Sequence, residues 1–224
     1  MISTSDLSQL PDIEGLRALT RSLAMLDAVV CPEWEYRYYS FDSNWGEDEE
    51  MASMRNGSGD HYFALFSPSG AILKGFAHES AGSRYANEEQ SVGPGSLDDV
   101  PQVFSAFLQE PTLEMEATTF CIWRTYNDLA WQRSHSQVTD ESDSDGSEDL
   151  LSILDGKPGT YKAWAEDYYE RPIDLKAVEH IYQYHPLTRE VVAALNPDLS
   201  FEDLAADIEQ IGYPVAYSFN QPRR

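Results

Sequence analysis

Two short acid–histidine pairs, Asp60-His61 and His78-Glu79, carry the side chains of this chain whose types and spacing come nearest to chemistry. A carboxylate beside an imidazole can orient the ring for acid–base work or complete a metal site. The two pairs flank a segment that reads as a β-hairpin, His61–Phe66 and Ala71–Phe76 around Ser67-Pro68-Ser69-Gly70. Pro and Gly at those places suit a type I turn followed by a left-handed Gly bulge, which sets Ser67 opposite Ala71. In that register Asp60 faces His78 across the open end, and His61 lies near Glu79 on the other face. The enzyme reading that follows is a hydrolase or metal-dependent enzyme built on Asp60, His61, His78 and Glu79. Against it, no nucleophile accompanies the four, and strand-end His and Asp are commonly satisfied by turn backbone and water.

A second set, Glu141, Asp143 and Asp145 followed by Gly146, resembles the first half of a calcium loop, with oxygen ligands at alternating positions and a Gly for the sharp turn. The twelfth position is Ser152, where a bidentate Glu is required. The two readings are a calcium-responsive adaptor and a solvated acidic linker. This divalent cation is the one cofactor the sequence raises. Asn56-Gly57-Ser58-Gly59 lacks the Lys-Ser/Thr of a phosphate loop and follows Glu47, Asp48, Glu49 and Glu50, which repel phosphate. Cys31 and Cys121 sit in apolar runs and read as buried free thiols of a reducing compartment.

Charge is the strongest feature of the whole chain. Against 39 Asp+Glu stand 15 Lys+Arg, a net −24 on 224 residues. Residues 42–60 and 134–149 hold six acids each, with one base between them. Such a field repels nucleic acid and anionic membrane and attracts basic proteins or cations. No basic patch with interleaved aromatics is present, which excludes phosphate-led nucleic-acid binding. Asp203, Asp207 and Glu209 lie on a C-terminal helical stripe without Lys or Arg four residues away. The leading functional expectation is therefore a non-catalytic, inhibitor- or immunity-like protein that binds a basic protein partner through Glu47, Asp48, Glu49, Glu50, Asp203, Asp207 and Glu209. No leader and no run of about 18 apolar residues is visible, so the expected location is the cytoplasm.

The elements that must position these residues are legible in part. Ile13, Leu16, Leu19, Leu23, Leu26 and Val30 form one apolar stripe, with Asp12 as N-cap and Pro32 as stop, and predict a helix. An aromatic strand is expected over 34–41, an acidic loop over 42–60, a short helix near 101–109, and strands at 118–125 and 129–133. In the expected hairpin register Tyr62, Phe66, Ile72 and Phe76 share one face, and Phe63, Leu65 and Leu73 the other. Both faces are apolar, which places the hairpin centrally in a covered sheet. After the polar stretch 134–149 the texture is helical, with caps at Thr160, Asp174, Thr188 and Ser200. The expected class is α+β: an antiparallel sheet with a central hairpin (61–76), an N-terminal helix and a helical C-terminal part. By segment, 1–133 holds the sheet, 134–149 is an acidic mobile loop or linker, and 150–224 packs on the first part as one domain.

Overall fold

The computed structural model describes residues 2–83, 85, 97–134 and 145–216. Its first helix, α1, runs Ile13–Val30, and all six stripe residues are buried. Asp12 caps it by accepting from the Gly15 amide at 2.8 Å. Asp27, in its last turn, lies buried among apolar neighbours.

Among the described residues six strands follow in the order β1 (Tyr39–Gly46), β2 (Glu49–Arg55), β3 (His61–Ser67), β4 (Gly70–Phe76), β5 (Phe120–Thr125) and β6 (Gln132–Arg133), each antiparallel to the one before. One face, with Phe41, Met54, Tyr62, Phe66, Leu73 and Ile122, is buried in a core shared with α1 and the C-terminal helices. The other, with Met51, Leu65, Ile72, Cys121 and Trp123, is covered by Phe104, Phe107 and Leu113. Phe104 and Phe107 come from a 3-10 turn, Gln102–Phe104, and the one-turn helix α2, Ser105–Leu108; Leu113 comes from a second 3-10 turn, Pro111–Leu113. The α+β class and the central antiparallel hairpin are thus present.

The hairpin register differs from expectation by one residue. Ser67 pairs with Gly70, with no bulge, so Tyr62 pairs with Gly75 and Leu65 with Ile72. Gly70, at φ +140°, serves close approach instead: a Cβ there would lie 2.2 Å from the Arg124 carbonyl oxygen on β5. A one-residue slip turns every side chain of one strand over. Ile72 and Phe76 therefore share a face with Phe63 and Leu65, while Leu73 joins Tyr62 and Phe66.

The expected acidic loop over 42–60 is mostly strand. Glu47 and Asp48 form the tip between β1 and β2, and residues 56–60 form the next turn. Glu, Ala and Ser are poor strand formers, but Met51 and Met54 bury on opposite faces opposite Leu65 and Tyr62, and that packing overrides propensity. Conversely, the aromatic run starting at Trp34 begins as a 3-10 turn, Trp34–Tyr36, because Arg37 and Asp27 hold the chain there in a tight curve.

The C-terminal part supplies α3 (Ser147–Leu151), α4 (Pro158–Tyr168), α5 (Leu175–Tyr182), α6 (Arg189–Leu195) and α7 (Ala205–Ile211). Asp174, Thr188 and Ser200 accept from the backbone at their expected cap positions. Thr160 does not cap: α4 starts earlier, with Pro158 in its first turn, and the Thr160 hydroxyl donates to Asp155. Of the expected mobile 134–149 stretch, residues 135–144 lie outside the described residues; Asp145, Gly146 and Ser147 are buried and Asp149 is exposed. Among the described residues no helix is long and apolar enough to cross a membrane.

Candidate functional site

The hairpin's open end brings together part of the expected acid–histidine set. Asp60 Oδ1 accepts from the His78 amide at 2.7 Å and from His78 Nδ1 at 2.8 Å, and Oδ2 accepts from Asn56 Nδ2 at 2.7 Å. Glu79 stands 3.7 Å from His78 Nε2 and is exposed. Burial opposes ionisation of Asp60, but the His78 and Asn56 donors outweigh it and hold the carboxyl below its ordinary range. The hydrogen bond to Asp60, opposed by slight burial and helped by both acids' charge, holds the imidazolium of His78 above its ordinary range. The adjacent cavity, about 230 Å³, is bordered by Asp60, Glu79, Ser80 and Asp149. Its hydroxyl is already engaged, because Ser80 Oγ donates to the Ala77 carbonyl at 2.8 Å. What this geometry performs is a charge-assisted clasp of the loop after β4 onto the turn before β3.

His61 leaves that group. Its Nδ1 donates to the Gly59 carbonyl at 3.2 Å, which leaves Nε2 as acceptor for Lys74 Nζ at 3.1 Å. Lys74 is fully buried and also donates to the carbonyls of Ala117 (2.8 Å) and Glu114 (3.2 Å). Burial first, then the Lys74 charge, pushes the His61 imidazolium down to about 4, so His61 is neutral at physiological pH. A lysine in the middle of a strand thus pins the 111–117 segment over the sheet.

Of the calcium-like set, Glu141 and Asp143 lie outside the described residues. Asp145 is buried; Oδ2 accepts from Thr4 Oγ1 at 2.6 Å and Oδ1 from the Ser147 amide at 3.0 Å. Its carboxylate ties the N-terminal segment to the start of α3. Among the described residues no three His, Cys, Asp or Glu side chains converge as a metal site.

The seven acids read as partner-binding divide into two kinds. Glu50 pairs with Arg17 at 3.2 Å and with Arg21. Asp207 takes a two-pronged pair from Arg37, Nη1 to Oδ1 at 2.5 Å and Nη2 to Oδ2 at 3.2 Å. Asp203 accepts from the Ser200 hydroxyl at 2.7 Å. The expected unpaired acidic face of the last helix is corrected at Asp207 alone, whose cation, Arg37, lies 170 positions away in sequence; Asp203 meets only a hydroxyl. Glu47, Asp48, Glu49 and Glu209, by contrast, make no ion pair among the described residues, and all but the half-buried Glu49 are exposed. Ser43 Oγ donates to the Gln210 carbonyl at 2.8 Å, so the end of α7 meets β1.

Family models, curated proteins and solved structures were compared with this chain, and none matched.

Two features escaped sequence reasoning. Asp27 is fully buried; Oδ2 accepts from the amides of Tyr38 and Tyr39, both at 2.9 Å, and Oδ1 from the Tyr161 hydroxyl at 2.9 Å. Burial pushes its carboxyl up to about 6, against those hydrogen bonds. With Arg37, which donates to the carbonyls of Cys31 and Pro32, it fixes the curve that carries Trp34. The second is a groove of about 270 Å³ against the sheet, lined by Trp34, Trp45, Thr112 and Leu113 among others. Its floor includes Ser40 and Ser53, joined at 2.7 Å, together with Asp42 and Arg55. Trp34 is 54 % exposed and Trp45 40 %, which is unusual for tryptophan beside a packed sheet. Their signal in the sequence was the aromatic density of the 34–45 stretch, which reads equally as core.

Proposed function

We propose that the protein is a non-catalytic binder that holds a basic protein partner against an acidic surface, in the manner of an inhibitor or immunity protein. The observation that supports this reading is the division of the acids. Glu50, Asp207 and Asp203 are engaged by the fold, whereas Glu47, Asp48, Glu49 and Glu209 make no ion pair among the described residues. Clustered like charge raises the free energy of the folded chain through self-repulsion, and a cationic partner relieves it. The exposed tryptophans beside these acids suit an interface, where aromatic anchors are enriched and the rim is charged. The cytoplasm is the compartment that suits the two free, buried thiols.

The test compares wild type with a variant carrying Glu47→Gln, Asp48→Asn, Glu49→Gln and Glu209→Gln. Asp48 sits at φ +58°, a conformation that Asn tolerates, so the substitutions leave the turn intact. Each protein is immobilised and challenged with an extract of the cells that make it. The reading expects basic proteins retained by wild type and depleted on the variant. Equal retention on both, or retention of acidic proteins only, overturns it.

A further inference from the structure

We propose that the groove beside Trp45 receives an arginine side chain of the basic partner, with the guanidinium over the indole and against the Asp42 carboxylate. This inference rests on the reading of an acidic, partner-binding surface and gives it a place. Three observations carry it.

The groove already holds one such pair. The Arg55 guanidinium lies 4.8 Å from the centroid of the Trp34 ring, both lining the groove, the arrangement in which a cation meets the negative face of an aromatic ring. Trp45, which also lines the groove, stacks on no ring and carries no cation among the described residues, yet 40 % of it faces solvent. A half-exposed indole lining a concave site offers aromatic surface to a planar cation.

The second observation is the charge of the surroundings. Asp42 lines the groove; its Oδ1 accepts from the Asn44 amide at 2.8 Å, and it has no cationic partner among the described residues. Beyond Trp45 stand Glu47, Asp48 and Glu49, and on the Trp34 side the exposed Glu33 and Glu35. Across the groove the covering segment adds the exposed Glu114 and Glu116. Arg55 is the single base lining the groove, and it is engaged by Trp34. This acidic neighbourhood in sequence, with Asp42 in the groove itself, favours a cation there over a neutral ligand.

The third is rigidity. The Trp34 turn is held by Asp27 and by Arg37, and the opposite wall is pinned by Lys74 through the carbonyls of Glu114 and Ala117. A site with fixed walls does not spend binding free energy on ordering itself. Arginine suits it better than lysine, because a guanidinium stacks flat on indole while donating in its own plane to a carboxylate.

The probe is an uncharged-backbone peptide, acetyl-Gly-Gly-Arg-Gly-Arg-Gly-Gly-amide, and its copy with citrulline in place of both arginines, titrated calorimetrically into the full chain at low salt. The arginine peptide should bind at least tenfold more tightly than the citrulline copy. Trp45→Ala and Asp42→Asn should each weaken it by roughly five- to tenfold, while Glu179→Gln, at an exposed position of α5, leaves it unchanged. Both groove substitutions are at accessible side chains, and the circular dichroism spectrum verifies that the fold survives. Equal binding of the citrulline peptide overturns the proposal. So does arginine-peptide binding that Trp45→Ala, Asp42→Asn and Glu179→Gln affect alike; attraction is then diffuse, and the acidic-surface reading survives without the groove. No binding of the arginine peptide, while a folded basic protein still binds, removes the groove alone; loss of both removes the acidic-surface reading as well.

Discussion

Replacing Asp27 by Asn should flatten one specific part of the pH dependence of stability. The carboxyl is fully buried, and its folded pKa lies near 6 against an ordinary 3.8. A raised folded pKa means that the folded state binds the proton more tightly than the unfolded state does. Its stability contribution is therefore full below about pH 4 and is lost as pH rises through 6. The whole swing is about 3 kcal/mol, at about 1.4 kcal/mol for each unit of difference. Because the sequence isoelectric point is near 4.3, the useful window is pH 5 to 7.5. About half of the swing, roughly 1.5 kcal/mol, falls inside it. Asn keeps an oxygen for the amides of Tyr38 and Tyr39 and presents an N–H to the Tyr161 hydroxyl, so the local shape is retained. Other groups titrate in the same window, but they are common to both proteins and cancel in the difference. Urea denaturation of wild type and Asp27→Asn at both pH values gives that difference directly. The wild type should lose about 1.5 kcal/mol more than the variant between pH 5 and 7.5. Equal losses would refute the claim that Asp27 is a buried, proton-binding carboxyl.

Three further outcomes follow from the same contacts. Lys74→Met removes the donor to the Ala117 and Glu114 carbonyls and should cost about 1–3 kcal/mol in a denaturation midpoint; with the cation gone, the His61 midpoint followed by NMR should rise from about 4, and an unmoved midpoint would deny the contact. His78 should titrate above 6.5 and return toward it in Asp60→Asn; its clasp stabilises the fold below the ordinary histidine pKa and is lost as pH rises through the folded one, so a normal wild-type midpoint would break the Asp60 pair. Phe120→Ala empties a fully buried site and should cost about 3–5 kcal/mol; a cost below 1 kcal/mol in urea would place the ring outside the core.

How far the sequence reached can be seen at particular residues. The Ile13–Val30 stripe and the caps at Asp12, Asp174, Thr188 and Ser200 were legible because each is a local signal with a local cause. The register of the central hairpin was not, because Gly70 answers to the Arg124 carbonyl on a strand some fifty residues later rather than to its own turn. Strand β2 was hidden for the same reason: Glu49-Glu50-Met51-Ala52-Ser53 has no strand propensity until Leu65 and Ala64 pair with it. At the candidate site, the Asp60–His78 pair was legible from the flanks of the hairpin. The pairing of Glu50 with Arg17 and Arg21, and of Asp207 with Arg37, was not, since ion pairs that join distant elements leave no spacing to read. The buried Asp27 looked like one more polar residue on a helix; only the fold reveals that two backbone amides and a tyrosine converge on it.

The central claim, that the unpaired acids draw in a basic partner, is tested most directly by the association rate of a captured partner as a function of salt. Steering acts over a Debye length of about 10 Å at 0.1 M and about 30 Å at 0.01 M. The comparison is wild type against Glu47→Gln/Asp48→Asn/Glu49→Gln, with Glu50 left to its arginines. The account predicts a wild-type association rate that falls steeply from about 0.01 M to 0.15 M salt, a slower and flatter rate for the variant, and dissociation changed less than association. An association rate indifferent to salt, or a partner of net negative charge, would contradict it.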